Sequence, residues 1–518
     1  MSAVSQSYCR RPILARLTTD GKARNSQTPQ LESGFSRATA SEKRAPFRIA
    51  TRVVRLLAWA QRRPAPSFGW SLRTDSLRRI AKTVLLLADH FPPIGGAGAQ
   101  RAVNLVRHLP SMGWTPIVVT GSGGDVDFWS PNDPDLEQQL PADLRVERVA
   151  TPRTPQLQSR LERLFALPGS FGREFAERVS MVTGDLRGRV DVVLCEFGFY
   201  DLSRSAARLS REMGVPWVAD LQDPWALDEM WLYPTALHRH IDLRRMRRTL
   251  VGASAAILNT PEAAARVRRA FPELDEAYVF AVPNGFSASD FAEPVPPLGD
   301  GAFRIVHTGS MHTEMGLRER RRGWLRRALG GTPLSGVDFL TRSHVFLLEA
   351  VNRLTRRNPS LRGIVEVHLV GPMTEADQVV ATASSASRCH GFLSHADTLR
   401  MIRSADLLFL PMHDLPSGMR AGLVPTKTYE YAASGRPILA AVPEGDARDF
   451  LSELGTATVV DPSDSLAMER VIETEIAHRQ SGRAPSKPNP AILERYEYRE
   501  ITRRVAAVLD SVREDAEV

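Results

Sequence analysis

The chain has 518 residues, of which 43% are hydrophobic, and its formal net charge is +8. A single hydrophobic core stops growing at roughly 250 to 300 residues, so a chain of this length divides into two or more domains. Its three cysteines, Cys9, Cys195 and Cys389, lie far apart and match neither a CxxC nor a Cys/His metal spacing. This pattern argues against a disulfide framework and a zinc site, and it favours a reducing cytoplasm.

The positive charge is concentrated at the N-terminus. Residues 1–80 contain 16 Lys and Arg against 4 Asp and Glu, a net of +12, so the rest of the chain has a net charge of −4. A dedicated nucleic-acid binder would have a basic globular body, so nucleic acid is excluded as the expected partner. The segment resembles neither a signal peptide nor a transmembrane span, and we expect a largely disordered basic extension over 1–80.

One part of this extension has a helical pattern. In PFRIATRVVRLLAWAQRRP, residues 46–64, arginines are interleaved with apolar side chains. A short basic amphipathic helix of this kind could contact an anionic membrane surface peripherally, and the alternative is an extension without a function.

Short apolar runs alternate with helical patterns from residue 83 onward. Continuous apolar strands between helices are typical of parallel sheets covered on both faces. The first series of predicted strands is TVLLLAD (83–89), TPIVVT (115–120), VDVVLCE (190–196), PWVADL (216–221), AAILNT (255–260) and YVFAVPN (278–284). The second series is FRIVHTGS (303–310), VEVHLVG (365–371), DLLFLPM (406–412), RPILAAV (436–442) and ATVVD (457–461). The fold class predicted is α/β, with two facing Rossmann-like domains.

The turn at Pro283, Asn284 and Gly285, followed by a proline-rich stretch, indicates the seam between the two domains. We expect an N-terminal domain over 81–285, a C-terminal domain over 286–490, and a last helical segment over 491–518 that packs back on the N-terminal domain. Ligands of open α/β folds bind at the carboxyl ends of the strands, so the cleft between the domains is the expected site.

The turn FPPIGGAGAQRA, residues 91–102, follows the first predicted strand and opens a helix. Backbone N–H groups at such a helix start can face an anion, so Gly95 and Gly96 are candidates for an acceptor or phosphate loop. The turn is not the GxGxxG dinucleotide fingerprint, and a simple structural corner remains the alternative. A phosphate or acceptor wall predicts that Gly96→Val costs activity far more than stability.

In the second predicted domain, a loop that contains Gly418 and Gly422 leads into a helix from about Thr426, which carries Lys427 and Glu430. A lysine in the first turn of a helix opposes the macrodipole preference for acids. Its position beside a glycine loop indicates that an anion neutralises it.

Several motifs resemble the bacterial glycosyltransferases of family 4, which have the GT-B fold. The resemblance covers about residues 83–510 and rests on FPPIGGAGAQRA, VADLQDPW, VPNGF, HTGS and VPTKTYEYAASGRPILA. It implies a retaining transfer of a sugar from a nucleotide-sugar donor to an acceptor hydroxyl, with no essential cofactor or metal. The donor is a UDP- or GDP-sugar, and the acceptor a glycan or lipid-linked glycan handled at the cytoplasmic face of the plasma membrane in polysaccharide or glycoconjugate biosynthesis.

The resemblance also implies roles for single residues. Glu430 matches the second glutamate of the family's E-x7-E element, which binds the donor ribose, whereas the first glutamate is replaced by Gly422. Gly309 of HTGS and Gly418 belong to the donor side with Lys427. The arginine that holds the diphosphate falls in an insert over about 313–342, where Arg318 is the first choice among the candidates Arg318, Arg320, Arg321 and Arg322.

Asp220 and Asp223 end a predicted strand that opens into the cleft. A carboxylate there could orient the acceptor hydroxyl or accept its proton, so Asp223 is a catalytic candidate and Asp220 an acceptor-loop candidate. His90, directly after the first strand, is a second catalytic candidate. The DVD (125–127) and DPD (133–135) triplets lie in a polar, proline-rich loop, so neither is assigned to a metal.

Two alternatives to a glycosyltransferase remain at this stage. One is a GT-B nucleotide-sugar 2-epimerase, and the other is a catalytically weakened sugar-nucleotide-binding partner, which the glycine at position 422 would suit. An NAD-dependent oxidoreductase is disfavoured, because neither domain has GxGxxG followed by an acidic residue about 20 positions later.

Overall fold

The computed structural model describes residues 82–123, 131–152, 161–162, 164–165, 169–292, 295, 301–321, 329–331 and 334–517. The N-terminal extension, with its amphipathic segment over 46–64, lies outside the described residues, as does the DVD triplet. Within the described part of the chain, no helix is both long enough and apolar enough to cross a membrane.

Seven parallel strands form the first sheet, in the order β3-β2-β1-β4-β5-β6-β7. The central strands are buried on both faces, which explains their continuous apolar runs. The bounds of these strands are β1 Lys82–Ala88, β2 Trp114–Gly121, β3 Arg145–Val149, β4 Val192–Glu196, β5 Trp217–Leu221, β6 Ala255–Leu258 and β7 Val279–Ala281.

Six parallel strands form the second sheet, in the order β10-β9-β8-β11-β12-β13. Their bounds are β8 Phe303–Thr308, β9 Val365–Val370, β10 Ser387–Gly391, β11 Leu407–Pro411, β12 Ile438–Ala441 and β13 Ala457–Val460. Both sheets therefore have the Rossmann order, in which the strand sequence reverses beside the first strand of each sheet. The prediction of an α/β fold with two Rossmann-like domains is confirmed.

Helices cover the sheets and connect the strands. Those described are α1 Ala97–His108, α2 Ser170–Val182, α3 Ser203–Met213, α4 Ala236–Gly252, α5 Pro261–Ala270, α6 Thr313–Arg320, α7 Val345–Arg357, α8 Glu375–Thr382, α9 His395–Ser404, α10 Lys427–Ser434, α11 Asp446–Leu454, α12 Ser465–Gln480, α13 Pro490–Leu493 and α14 Tyr498–Glu517. Side-chain caps fix several helix starts near the cleft. Thr260 accepts from the N–H of Ala263 in α5, and Ser394 accepts from the N–H of Asp397 in α9.

The last helix, α14, crosses back to the N-terminal half of the chain. Its buried Ile501, Val505 and Leu509 join the same apolar cluster as Leu105 of α1. Asp510 accepts a hydrogen bond from Trp114 Nε1 at 3.1 Å, which fixes the far end of the helix against β2.

Candidate functional site

A cavity of about 430 Å³ lies where the carboxyl ends of the two sheets face each other. Its walls come from the turns after β1, β4 and β5 on one side and after β8, β9 and β11 on the other. This is the position that the reversal of strand order in each sheet favours for a ligand. The predicted site residues that line the cavity are His90, Gly96, Asp223, Gly309, Lys427 and Glu430.

Gly309 and Lys427 are in close contact on the C-terminal wall. Gly309 has φ +87°, which glycine adopts without strain, and a Cβ at this position would lie 2.7 Å from Lys427 Nζ. Gly371 packs against the backbone of Gly309 from the other side, where a Cβ would lie 2.8 Å from the Gly309 carbonyl carbon. The two glycines therefore leave room for the lysine to lie across the end of β8.

Lys427 lies near a second cation, Arg342, and near the imidazole of His312. Burial, together with the nearby Arg342 guanidinium, lowers the pKa of Lys427 to about 7, against a small opposing effect of Glu430. Burial also lowers the pKa of Arg342, and it lowers the pKa of His312 to about 2, with Arg342 and Lys427 acting in the same direction. A bound anion would relieve the repulsion between these cations, so the C-terminal wall suits a phosphate-bearing ligand.

Arg342 lines the cavity on the C-terminal side, whereas the sequence favoured Arg318 for this position. Arg318 lies on the exposed face of α6 and does not line the cavity. Arg320 pairs with Asp338 at 2.6 Å, Arg321 is exposed, and Arg322 lies outside the described residues. Arg342 follows the insert and lies three residues before α7 begins at Val345, and this position is the sequence signal that could have identified it.

Glu430 lies one turn after Lys427 on α10, lines the same wall and contacts His395 from α9. Glu430 Oε1 lies 3.3 Å from His395 Nε2, and His395 Nδ1 lies 3.2 Å from Gln100 Nε2 of the N-terminal domain. Burial raises the pKa of Glu430, and the neighbouring His395 opposes this shift. A chain of polar contacts thus joins the two domains beside the carboxylate that the resemblance assigns to ribose.

Asp220 lies in β5 and Asp223 follows the end of that strand, but the two have different surroundings. Asp223 is open to the cavity. Partial loss of water around its carboxylate raises its pKa, and the positive charge of the nearby Arg342 opposes this shift. Asp220 is 1% exposed, and its two oxygens accept from Arg101 Nε at 2.8 Å and Arg101 Nη2 at 3.1 Å. Asp220 does not reach the cavity, so its assignment to an acceptor loop gives way to a buried structural ion pair.

His90 lines the N-terminal wall at the end of β1. Its Nδ1 lies 3.5 Å from Asp89 Oδ2, so the neighbouring carboxylate orients the ring. A Cβ at Gly98 would lie 3.0 Å from His90 Cγ, and the absence of a side chain there gives the imidazole its space.

The glycine turn after β1 packs against the loop that contains Asp133. Gly95 N donates to Pro131 O and Asp133 N donates to Pro93 O, both at 2.8 Å. A Cβ at Gly95 would lie 2.6 Å from Asp133 Cβ, so Gly95 is buried against this loop and does not line the cavity. Gly96 lines the cavity with φ +87°, where valine is strained. Gly96→Val should therefore reduce stability as well as activity, which corrects the expectation from the sequence.

The second-domain glycine loop also departs from the predicted arrangement. Gly418 is exposed and does not line the cavity. Gly422, where the family has its first glutamate, donates its N–H to Glu229 Oε1 at 2.9 Å. A Cβ at position 422 would lie 3.1 Å from Arg266 Cζ, so glycine lets this arginine cross the loop.

Glu229 of the N-terminal domain contacts Arg266 of its own domain and both Gly422 and His413 of the C-terminal domain. Its buried carboxylate pairs with Arg266, and its Oε1 lies 3.3 Å from Nε2 of the buried His413. Although burial opposes ionisation, these partners hold the pKa of Glu229 at about 2. Sequence reasoning did not find Glu229, because its importance lies in contacts with residues far away in the chain.

Among the described residues, no group of three or more His, Cys, Asp or Glu side chains could hold a metal ion.

Residues 95–285 match the family model of the glycosyl transferase 4-like domain. No curated protein matches the chain. Among solved structures, the Anabaena protein HepE in complex with UDP and glucose aligns with a TM-score of 0.54 at 17% identity, over 83% of this chain and 100% of HepE. The sucrose-phosphate synthase of Thermosynechococcus elongatus aligns with a TM-score of 0.55 at 15% identity, over 83% of this chain and 98% of its own.

A protein assigned as a UDP-N-acetylglucosamine 2-epimerase from Listeria monocytogenes aligns with a TM-score of 0.50 at 14% identity, over 84% of this chain and 97% of its own. At these identities the structural likeness shows the fold. Residues 95–285 match the glycosyl transferase 4-like domain, which confirms the resemblance to family 4 over these residues, and the solved neighbours show that the chain has the GT-B fold.

Proposed function

We propose that this protein transfers a sugar, with retention of anomeric configuration, from a nucleotide-sugar donor to an acceptor hydroxyl. The observation that carries the proposal is the half-buried pair of cations Lys427 and Arg342, which lines the C-terminal wall of the cavity with Gly309 and where the pKa of Lys427 falls to about 7. Such a wall is costly unless an anion occupies it, and the diphosphate of a nucleotide sugar is an anion of suitable size and charge.

The same wall would assist the reaction. Negative charge develops on the diphosphate as the bond to the sugar breaks, and fixed cations in a cleft with little water stabilise that charge strongly. Gly309 has no side chain, so Lys427 Nζ lies at the end of β8, where it can contact the phosphate oxygens. HepE has been solved with UDP-glucose, which supports a UDP-sugar as the donor class.

The remaining cavity residues take roles on either side of the diphosphate. Glu430 is suited to accept hydrogen bonds from the ribose hydroxyls. Asp223 and His90 come from the N-terminal wall, where the acceptor would bind. A raised pKa makes the Asp223 carboxylate a stronger base, and it faces the cavity, so we assign Asp223 to the acceptor hydroxyl and His90 to its orientation.

We further propose that the acceptor is a glycan or lipid-linked glycan in polysaccharide or glycoconjugate biosynthesis. The enzyme would act in the cytoplasm at the inner face of the plasma membrane, where the basic residues 1–80 could contact anionic lipids.

Thermal unfolding with UDP, GDP and their sugar conjugates tests the donor site directly. We expect one nucleotide series to raise the melting temperature of the wild type. Lys427→Met should abolish this rise and lower turnover by about 10²–10³-fold, because it removes a fixed cation from the leaving group. Lys487→Met, which changes an exposed lysine, is the matched control and should retain both properties. If no nucleotide stabilises the wild type, the proposal is wrong.

Product analysis separates the alternatives. An epimerase would interconvert free nucleotide sugars without an acceptor, whereas a binding partner would be stabilised by nucleotide and would neither transfer nor hydrolyse the sugar. A transferase requires the acceptor for rapid release of the nucleoside diphosphate.

A further inference from the structure

The DPD triplet at 133–135, which we did not assign to a metal, contributes one aspartate to the cavity. Asp133 is 2% exposed and lines the cavity, whereas Asp135 of the same triplet is exposed. Asp133 N donates to Pro93 O at 2.8 Å, and the missing side chain of Gly95 leaves the space that Asp133 Cβ fills. The glycine turn after β1 therefore fixes the position of a buried carboxylate.

The two oxygens of this carboxylate are used differently. Asp133 Oδ2 accepts the backbone N–H of His395 at 2.9 Å and so caps α9 of the C-terminal domain. Asp133 Oδ1 is buried and has no hydrogen-bond partner in the protein. A buried carboxylate oxygen without a donor is unfavourable, and a ligand hydroxyl in the cavity would supply that donor.

The neighbours of Asp133 indicate which part of a ligand lies there. His395, whose N–H Asp133 accepts, also contacts Glu430 through its ring. Asp133 and Glu430 thus lie on either side of His395, and two carboxylates around one histidine favour a group rich in hydroxyls over a phosphate. Lys427 and Arg342 supply the positive charge for the diphosphate.

We propose that Asp133 Oδ1 accepts a hydrogen bond from a ribose hydroxyl of the donor nucleotide; this rests on the function proposed above. The ribose would then contact Glu430 of the C-terminal domain and Asp133 of the N-terminal domain at once. Asp133 is thus a nucleotide-binding residue, and its cap on α9 couples ribose binding to the contact between the domains.

The test compares UDP with 2′-deoxy-UDP and 3′-deoxy-UDP in calorimetric titrations of the full-length protein. The wild type should prefer UDP to at least one deoxy analogue by about tenfold, a typical effect of one hydrogen bond to a charged group. Asp133→Asn keeps an oxygen that can cap α9 but removes the charged acceptor. The preference for the hydroxyl that Asp133 binds should therefore fall to about onefold, whereas the preference that Glu430 gives for the other hydroxyl should remain. Asp135→Asn is the matched control and should retain the wild-type preference.

Each other result overturns the inference. If Asp133→Asn weakens UDP and both analogues equally, Asp133 serves only to cap α9, and a fall in melting temperature would accompany that loss. If the variant binds all three ligands as the wild type does, Asp133 does not contact the ribose. A wild type that binds neither UDP nor GDP would instead contradict the proposed function, so the two failures are distinguishable.

Discussion

The two walls of the cleft use charge in opposite ways. Behind the N-terminal wall, two buried carboxylates have partners within the protein, since Asp220 pairs with Arg101 and Glu229 accepts from an arginine and a backbone N–H. On the C-terminal side, the cations Lys427 and Arg342 lie close together, and burial lowers the pKa of both. The carboxylates behind the first wall are therefore neutralised within the protein, whereas a ligand that brings negative charge would neutralise the cations of the second.

The glycine turns of the two walls also differ in the charge of the group that packs against them. Gly95 leaves space for a carboxylate loop of the protein itself, and Gly309 leaves space for Lys427 Nζ. Turns at equivalent ends of two Rossmann-like sheets thus serve packing in one domain and a ligand-facing cation in the other.

Breaking the N-terminal ion pair should have the largest effect, and it should act on stability. Arg101→Leu leaves Asp220 buried without a counter-charge and removes the donor to Pro283 O and Asn284 Oδ1 at the seam between the domains. We expect the free energy of unfolding to fall by about 3–5 kcal/mol, measured by denaturant titration.

The control for this variant is Arg145→Leu, which removes a partly exposed pair with Glu147. Its cost should stay below about 1 kcal/mol. Equal costs for the two variants would mean that the N-terminal wall does not depend on its buried ion pair.

Gly309→Val should affect activity more than stability on the C-terminal wall. A side chain at Gly309 displaces Lys427 Nζ, so we expect turnover to fall about 10²–10³-fold through loss of the positioned cation. Strain at φ +87° should also reduce stability by about 1–3 kcal/mol. Turnover assays and thermal unfolding measure the two effects separately.

Gly455→Val isolates the backbone strain from the displacement of the lysine. Gly455 has φ +82°, and its Cβ would meet no heavy atom within 4 Å. This variant should lose similar stability and keep its turnover, whereas a comparable loss of turnover would contradict the role given to Gly309.

The sequence predicted the central strands and the cleft well, because these depend on local apolar runs and on strand order. It missed the edge strands β3 and β10, whose polar sequences RVERV and SRCHG lack the apolar pattern of a strand buried on both faces. Lys427 and Glu430 could be identified as cavity residues because both lie in the first turn of α10, within a recognisable sequence motif.

Contacts between distant residues could not be deduced in this way. Asp220 pairs with Arg101, which is 119 residues away in the chain, and Gly422 bonds to Glu229 across 193 residues. A carboxylate at a strand end gives the same sequence pattern whether it faces a ligand or a buried arginine. Only the folded arrangement separates Asp223, which is open to the cavity, from Asp220, which is not.

The smallest effect expected is a dependence of nucleotide affinity on pH. The pKa of Lys427 is about 7 without ligand, because burial and Arg342 disfavour its charged form. A diphosphate favours that form, so binding should take up a proton above pH 7, and UDP affinity should fall by up to about tenfold per pH unit as the pH rises from 7 to 9. Calorimetric titration in buffers with different ionisation enthalpies measures both the affinity and the proton uptake.

Lys427→Arg supplies the control, because a guanidinium stays protonated throughout this range. Its UDP affinity should be nearly independent of pH between 7 and 9, even if the arginine fits less well beside Gly309. The stability of the unliganded wild type should rise over the same range, because the unfolded lysine, with its ordinary pKa near 10.5, binds a proton that the folded one releases. A wild-type affinity that is constant between pH 7 and 9 would show that Lys427 does not change its protonation when the nucleotide binds, and would contradict its lowered pKa.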